Sequence, residues 1–130
     1  GRDAPLSHLA AAELRQLRRY RAPLIDVVVR TRRRAPRGVR VHETRALGAR
    51  DVTTYNGIPV TSVPRMLVDL SDVLTAHELA NVIHEAAFRG IYSEPATRDA
   101  MRRANGRHNL HVLESAVRLN AAGSAGIKSR

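Results

Sequence analysis

NGIPVTSVPRMLVDLSDVL, Asn56 to Leu74, is the stretch that decides the fold, because the spacing of its apolar residues changes within it. Asn-Gly is the dipeptide that best accepts positive φ at both centres of a type I′ turn, so Thr53 to Tyr55 and Ile58 to Thr61 are predicted to pair as a hairpin. Beyond Thr61 the period lengthens. Ser62 has N-cap chemistry, and Pro64 falls in the first helical turn, where its missing N–H breaks no bond. Met66, Leu67, Leu70 and Leu74 then recur at helical spacing. A strand is therefore expected to run directly into a core helix.

Upstream, Ser7 can cap a helix running to about Tyr20, with Leu6, Ala10, Leu14 and Leu17 on one face and Arg15, Arg18 and Arg19 largely on the other. Leu24 to Arg30 is β-branched and nearly continuous in apolar character, as in a central strand covered on both faces, with Asp26 the one exception. The basic run RTRRRAPRG, Arg30 to Gly38, has turn residues at Pro36 and Gly38. From Val39 to Arg45 the chain alternates, Val39 and Val41 against Arg40, His42 and Thr44, which suits a strand with one wet face. Pairing it antiparallel with Leu24 to Arg30 makes the basic run the tip of a long hairpin. That tip projects Arg32, Arg33, Arg34, Arg37 and Arg40, with Arg30 at its base. Leu47 to Arg50 is a short crossover into the Asn-Gly hairpin.

Downstream, Thr75 to Glu78 reads as a capping box that opens a helix with the stripe Leu79, Val82, Ile83 and Ala86, ended by Gly90. Ser93 opens a further helix to about Ala104, closed by Asn105 and Gly106. Asn109 caps a last helix whose Leu110, Leu113, Ala116 and Val117 face inward. The tail from Asn120 to Arg130 is small and polar, which is linker composition. The expectation is an α+β domain over residues 1–120: a small antiparallel sheet of about four strands in two hairpins, packed by an N-terminal helix and three C-terminal helices. Residues 121–130 form a linker in this reading. Gly1 to Pro5 lack an initiator methionine, as expected of a piece cut from a longer chain.

Composition narrows the function classes. At 130 residues the chain has the length of one domain. Aromatics are only 3%, so the core falls to Leu, Val, Ile and Ala, and stacking recognition of single-stranded bases is disfavoured. The formal net charge is +10, and Lys128 is the one lysine, so arginine forks carry the charge and a polyanionic partner is the first expectation. With no cysteine, disulfides and thiolate metal sites are excluded, and a reducing cytoplasm fits. No apolar run approaches the ~20 residues of a membrane span.

Taken together, GIPVTSVPRMLVDL (residues 57–70), LSHLAAAELRQL (6–17), GVRVHETRAL (38–47) and RGIYS (89–93) resemble, in the same order, the segments of AbiEi-type antitoxins and transcriptional regulators. Some members of that family carry a very-short-patch-repair-like endonuclease domain at the C-terminus. Met66 stands where a threonine is usual, and Glu13 to Gln16 replace small and aromatic residues. On this resemblance Gly57, Pro59, Ser62, Arg65 and Asp69 are structural motif positions. It also implies a DNA-binding domain upstream, repression of the protein's own operon and antagonism of a nucleotidyltransferase toxin. A DNA-presenting role beside a nuclease domain, and scaffolding between domains, are the alternatives.

As to sites, the run of arginines is the strongest signal, since clustered like charges on a short loop call for an anion. Without Asn or Gln among them, phosphate is the expected contact rather than base edges. Arg65 and Asp69, at i,i+4, read as an ion pair without a neighbouring nucleophile. His77 and His84 share a face at i,i+7, and His108 and His111 stand at i,i+3. Capping and exposure explain these histidines more cheaply than a metal does, and HEAAF lacks the second histidine of a zincin. No catalytic residue, metal or cofactor is expected in this chain.

Overall fold

The structure is a computed structural model describing residues 4–19 and 21–128, of which 124–128 are described as backbone only. In chain order it contains α1 (His8–Leu14), β1 (Ile25–Val29), β2 (Val39–Glu43), a single 3-10 turn (Ala49–Asp51), β3 (Val52–Tyr55), β4 (Ile58–Thr61), α2 (Val63–Leu70), α3 (Ala76–Phe88), α4 (Glu94–Arg103) and α5 (Leu110–Lys128). The class is α+β, with four strands among the described residues, but the sheet topology departs from two hairpins.

β1 and β2 are parallel: Ile25 lies opposite Val39, and Val29 opposite Glu43. The segment Arg30–Gly38 therefore carries the chain back to the level at which β1 began. Parallel strands are normally joined by a dozen or more residues. Nine extended residues still reach about 30 Å, which exceeds the ~16 Å of a five-residue strand. Gly38, at φ 81°, closes the crossover by accepting the Ile25 N–H at 2.9 Å. The arginines thus lie on an irregular crossover and not at a hairpin tip.

The free side of β1 is taken by the N-terminal segment. Ser7 N–H donates to the Asp26 carbonyl (2.9 Å) and Val28 N–H to the Pro5 carbonyl (3.0 Å), forming an antiparallel bridge between Leu6 and Val27. Leu6 also bridges Val60 in parallel, donating to the Pro59 carbonyl (3.0 Å) and accepting from Thr61 N–H (2.9 Å). One residue joins the two strand pairs, giving the order β2, β1, Leu6, β4, β3.

The second pair is the expected hairpin, with Asn56 at φ 51° and Gly57 at φ 79° between Tyr55 and Ile58. Ser62 Oγ accepts the Arg65 N–H at 3.3 Å and starts α2. Met66, Leu67, Val68 and Leu70 are fully buried, so α2 is the central helix. At the start of α3, Thr75 Oγ1 accepts from Glu78 N–H (3.1 Å) while Thr75 N–H donates to Glu78 Oε1 (2.9 Å). The stripe Leu79, Val82, Ile83 and Ala86 joins Leu113, Ala116 and Val117 of α5 in one core. Burying each of these larger aliphatic side chains stabilises by roughly 1.5–3 kcal/mol relative to exposure.

Three local expectations need correction. First, α1 ends at Leu14 because Gln16 turns into the left-handed region at φ 60°; the expected end at Tyr20 lies outside the described residues. Second, Arg15 points inward, donating to the Thr61 carbonyl at 2.9 Å with its guanidinium 5.7 Å from the Tyr55 ring centroid. Third, the Asn109 side chain makes no capping hydrogen bond among the described residues: its amide instead donates to Asp72 Oδ1 at 2.9 Å. The residues read as linker are helical as far as Lys128. Among the described residues no helix is long and apolar enough to cross a membrane.

Candidate functional site

The basic crossover places Arg30, Arg32, Arg33, Arg34 and Arg37 on the surface, every one of them exposed. Arg32 approaches Glu43 at 3.5 Å, with its side chain 87% exposed. Arg30, Arg33, Arg34 and Arg37 make no ion pair or hydrogen bond with the described residues. Arg40 differs: it belongs to β2 and pairs with the buried Asp26 at 3.2 Å, so a local carboxylate already neutralises part of its charge.

The motif positions do structural work. Gly57 makes the turn, Pro59 supplies the carbonyl for Leu6, and Ser62 caps α2. Arg65 and Asp69 form the expected i,i+4 pair at 3.0 Å, yet the pair is buried, with side chains 7% and 2% exposed. Arg65 also donates to the Ala46 carbonyl (2.6 Å) and Asp51 Oδ2 (3.2 Å), tying the start of α2 to the segment that leaves β2. Arg103 of α4 meets Asp51 Oδ1 at 2.8 Å, and Arg107 reaches both Asp69 (2.9 Å) and Asp72. Burial alone would raise the Asp51 carboxyl. The Arg103 and Gly48 hydrogen bonds and the Arg65 charge outweigh it and hold the pKa below the usual carboxylate value. Asp72 is lowered against its burial in the same way, by Asn109 and Arg107.

This network walls a cavity of about 580 Å³ between β2, α2 and α4. At one side stand two histidines, His8 and His42, stacked with ring centroids 3.8 Å apart. His42 Nε2 meets Asp26 Oδ1 at 2.9 Å across the parallel pair. That hydrogen bond and the positive charges around it overcome burial and lower the Asp26 pKa. His8 is 6% exposed, sits at φ 51°, and shares a hydrogen bond between Nδ1 and Ser7 Oγ at 2.7 Å. Its Nε2 has no hydrogen-bond partner among the described residues. Burial drives its pKa down to about 4, against the pull of the Asp69 charge. Asp69 itself is 1% exposed, and its Oδ2 also lacks a partner among the described residues.

Among the described residues no group of three or more His, Cys, Asp or Glu side chains is placed to hold a metal ion. His77 and His84 stand on the exposed face of α3, and His108 and His111 at the start of α5, away from the cavity. Sequence reasoning missed His8, Asp26, His42, Asp51, Asp72, Arg103 and Arg107. Two signals were present: Asp26 interrupts an otherwise apolar strand, and Asp72 follows Asp69 by three residues, close to it on one helical face. The long-range partners, Arg103 and Arg107, carry no local signature. Comparison with models of known protein families and with curated proteins gives no match for this chain.

Proposed function

We propose that the chain is a non-catalytic, nucleic-acid-associated domain of an AbiEi-like antitoxin or transcriptional regulator, whose Arg30–Gly38 crossover contacts phosphates. One observation supports this above the others. Every described carboxylate is engaged in an ion pair or a hydrogen bond, whereas four crossover arginines have no protein partner among the described residues. The surplus positive charge of the chain is thus concentrated where an extended backbone presents it to solvent. Guanidinium groups so placed favour phosphate oxygens, which fix position without reading sequence. The resemblance adds a nucleotidyltransferase toxin as protein partner, and the cysteine-free composition fits a reducing cytoplasm.

The expected binding to duplex DNA is weak, insensitive to sequence and strongly salt-dependent. Three or four phosphate contacts give a slope of log K against log[salt] of roughly −3. Replacing Arg32, Arg33 and Arg34 together by Ala should flatten that slope by about two to three, with little change in melting temperature, because exposed charges contribute little to folding. Fluorescence anisotropy at four or five salt concentrations reads both quantities. Equal affinity and slope in variant and parent would remove the crossover as a DNA contact.

A further inference from the structure

We infer that Arg45, just past the end of β2, is a further phosphate contact, so that the nucleic-acid surface reaches beyond the crossover to the end of the sheet where β1 and β2 both terminate. This deepens the nucleic-acid reading and rests on it. The parallel direction of β2 carries the argument. In a hairpin Arg45 would stand beside the start of β1, far from Arg30. In the parallel pair Val29 lies opposite Glu43, and Thr44 N–H donates to the Val29 carbonyl at 2.8 Å. Arg30 directly follows Val29 and Arg45 directly follows Thr44, so the chain leaves both strands at one place with an arginine on each.

Arg45 is exposed and makes no ion pair or hydrogen bond with the described residues. Outside the crossover only Arg19 and Arg45, among the described arginines, are in that state. The one acid of β2, Glu43, is engaged by Arg32 at 3.5 Å, so no carboxylate of that strand is left for Arg30 or Arg45. Adjacent strands stand about 4.8 Å apart, which keeps the two arginines within reach of one stretch of nucleic-acid backbone. Their like charges repel, and phosphate oxygens relieve that repulsion while accepting from the guanidinium forks. At the opposite end of the pair Arg37 precedes Gly38, whose carbonyl accepts the Ile25 N–H. A five-residue strand separates the two ends by about 16 Å, so Arg37 and Arg45 meet different phosphates and each adds to the salt dependence.

The test titrates the intact protein with duplex DNA between about 50 and 200 mM salt, read by fluorescence anisotropy. One phosphate neutralised by Arg45 contributes about 0.9 to the slope, or about 3.5-fold in affinity across that range. Arg45→Ala should flatten the slope by about 0.9 with an unchanged melting temperature, Arg45→Lys should keep the parent slope, and Arg19→Ala should leave it as it is. Parent affinity and slope in Arg45→Ala, while replacement of Arg32, Arg33 and Arg34 still flattens the slope, would overturn this inference and leave the nucleic-acid reading standing. An equal loss in Arg19→Ala would also overturn it, because unpaired charge anywhere on the surface would then count alike. If the triple replacement changes nothing, or the parent does not bind, the nucleic-acid reading falls and the Arg45 contact falls with it.

Discussion

Lowering the pH from 7.5 to 5 should weaken the fold by about 2 kcal/mol, and the group responsible is His8. Burial holds its folded pKa at about 4, below the ordinary 6.5, so between those values the unfolded chain binds a proton that the native state refuses. The sign follows directly. Stability from this group is complete above pH 6.5 and is lost progressively as the pH falls toward 4. Protonating the unfolded chain alone gives, at pH 5, a loss of about 2 kcal/mol, or roughly 5–8 °C in melting temperature for a domain of this length. Asp26, Asp51 and Asp72, whose pKa values are lowered from 3.8, act in a separate window, because their contribution is lost only below that value. Thermal unfolding followed by circular dichroism at half-unit pH steps measures the slope. His8→Asn, which keeps a residue tolerant of the left-handed φ of 51°, should flatten the curve between pH 7 and 5 even if its baseline stability is lower. An equally steep fall in His8→Asn would refute the assignment to His8.

Other outcomes follow from the same physical arguments. Gly57→Val should lower the melting midpoint by the equivalent of about 2 kcal/mol, purely from a β-branched residue held at positive φ, since the space around Gly57 is open. Arg65→Met should cost about 1–3 kcal/mol through the lost charge-assisted hydrogen bonds, because Arg103 and Arg107 still neutralise Asp51 and Asp69, and urea titration reads it. Pairing that change with Asp69→Leu should cost less than the sum of the two single changes, which a double-mutant cycle resolves. Incubation of the pure domain with plasmid and Mg²⁺ or Mn²⁺ should produce no nicking; divalent-dependent cleavage that persists through purification would contradict the non-catalytic reading.

The parts of the fold legible in the sequence are those encoded by neighbours. Asn56-Gly57, the Ser62 cap and the Thr75 to Glu78 box are local devices, and each adopts the geometry its chemistry prescribes. The direction of β2 was not legible, because an alternating strand carries the same pattern whether it runs up or down. The direction shows only in the backbone register, where Ile25 N–H meets the Gly38 carbonyl and Thr44 N–H the Val29 carbonyl, and periodicity carries none of that. Arg15 misled for a related reason: helical projection put it outward, but α1 stops before that projection applies. For the cavity, Arg65 and Asp69 could be paired from their spacing, whereas Arg103 and Arg107 approach from more than 30 residues away in sequence.

Leu6 also bears on how the domain comes together during synthesis. The flanking bonds, Val28 N–H to the Pro5 carbonyl and Ser7 N–H to the Asp26 carbonyl, can form once β1 has emerged, but Leu6's own bonds to Pro59 and Thr61 wait for the other half of the sheet. Closing a loop of roughly 50 residues costs entropy that no local contact returns in advance. At about 5–20 residues per second, the nascent chain holds this segment half-paired for several seconds before β4 appears. During that interval the Leu6 backbone, whose partners are Pro59 and Thr61, presents an unpaired edge, the kind of surface that recruits chaperones or another copy of the same chain. A bulky fusion placed close to residue 4 would prolong the exposure, and the yield of soluble protein should therefore depend on the length of spacer left before Pro5.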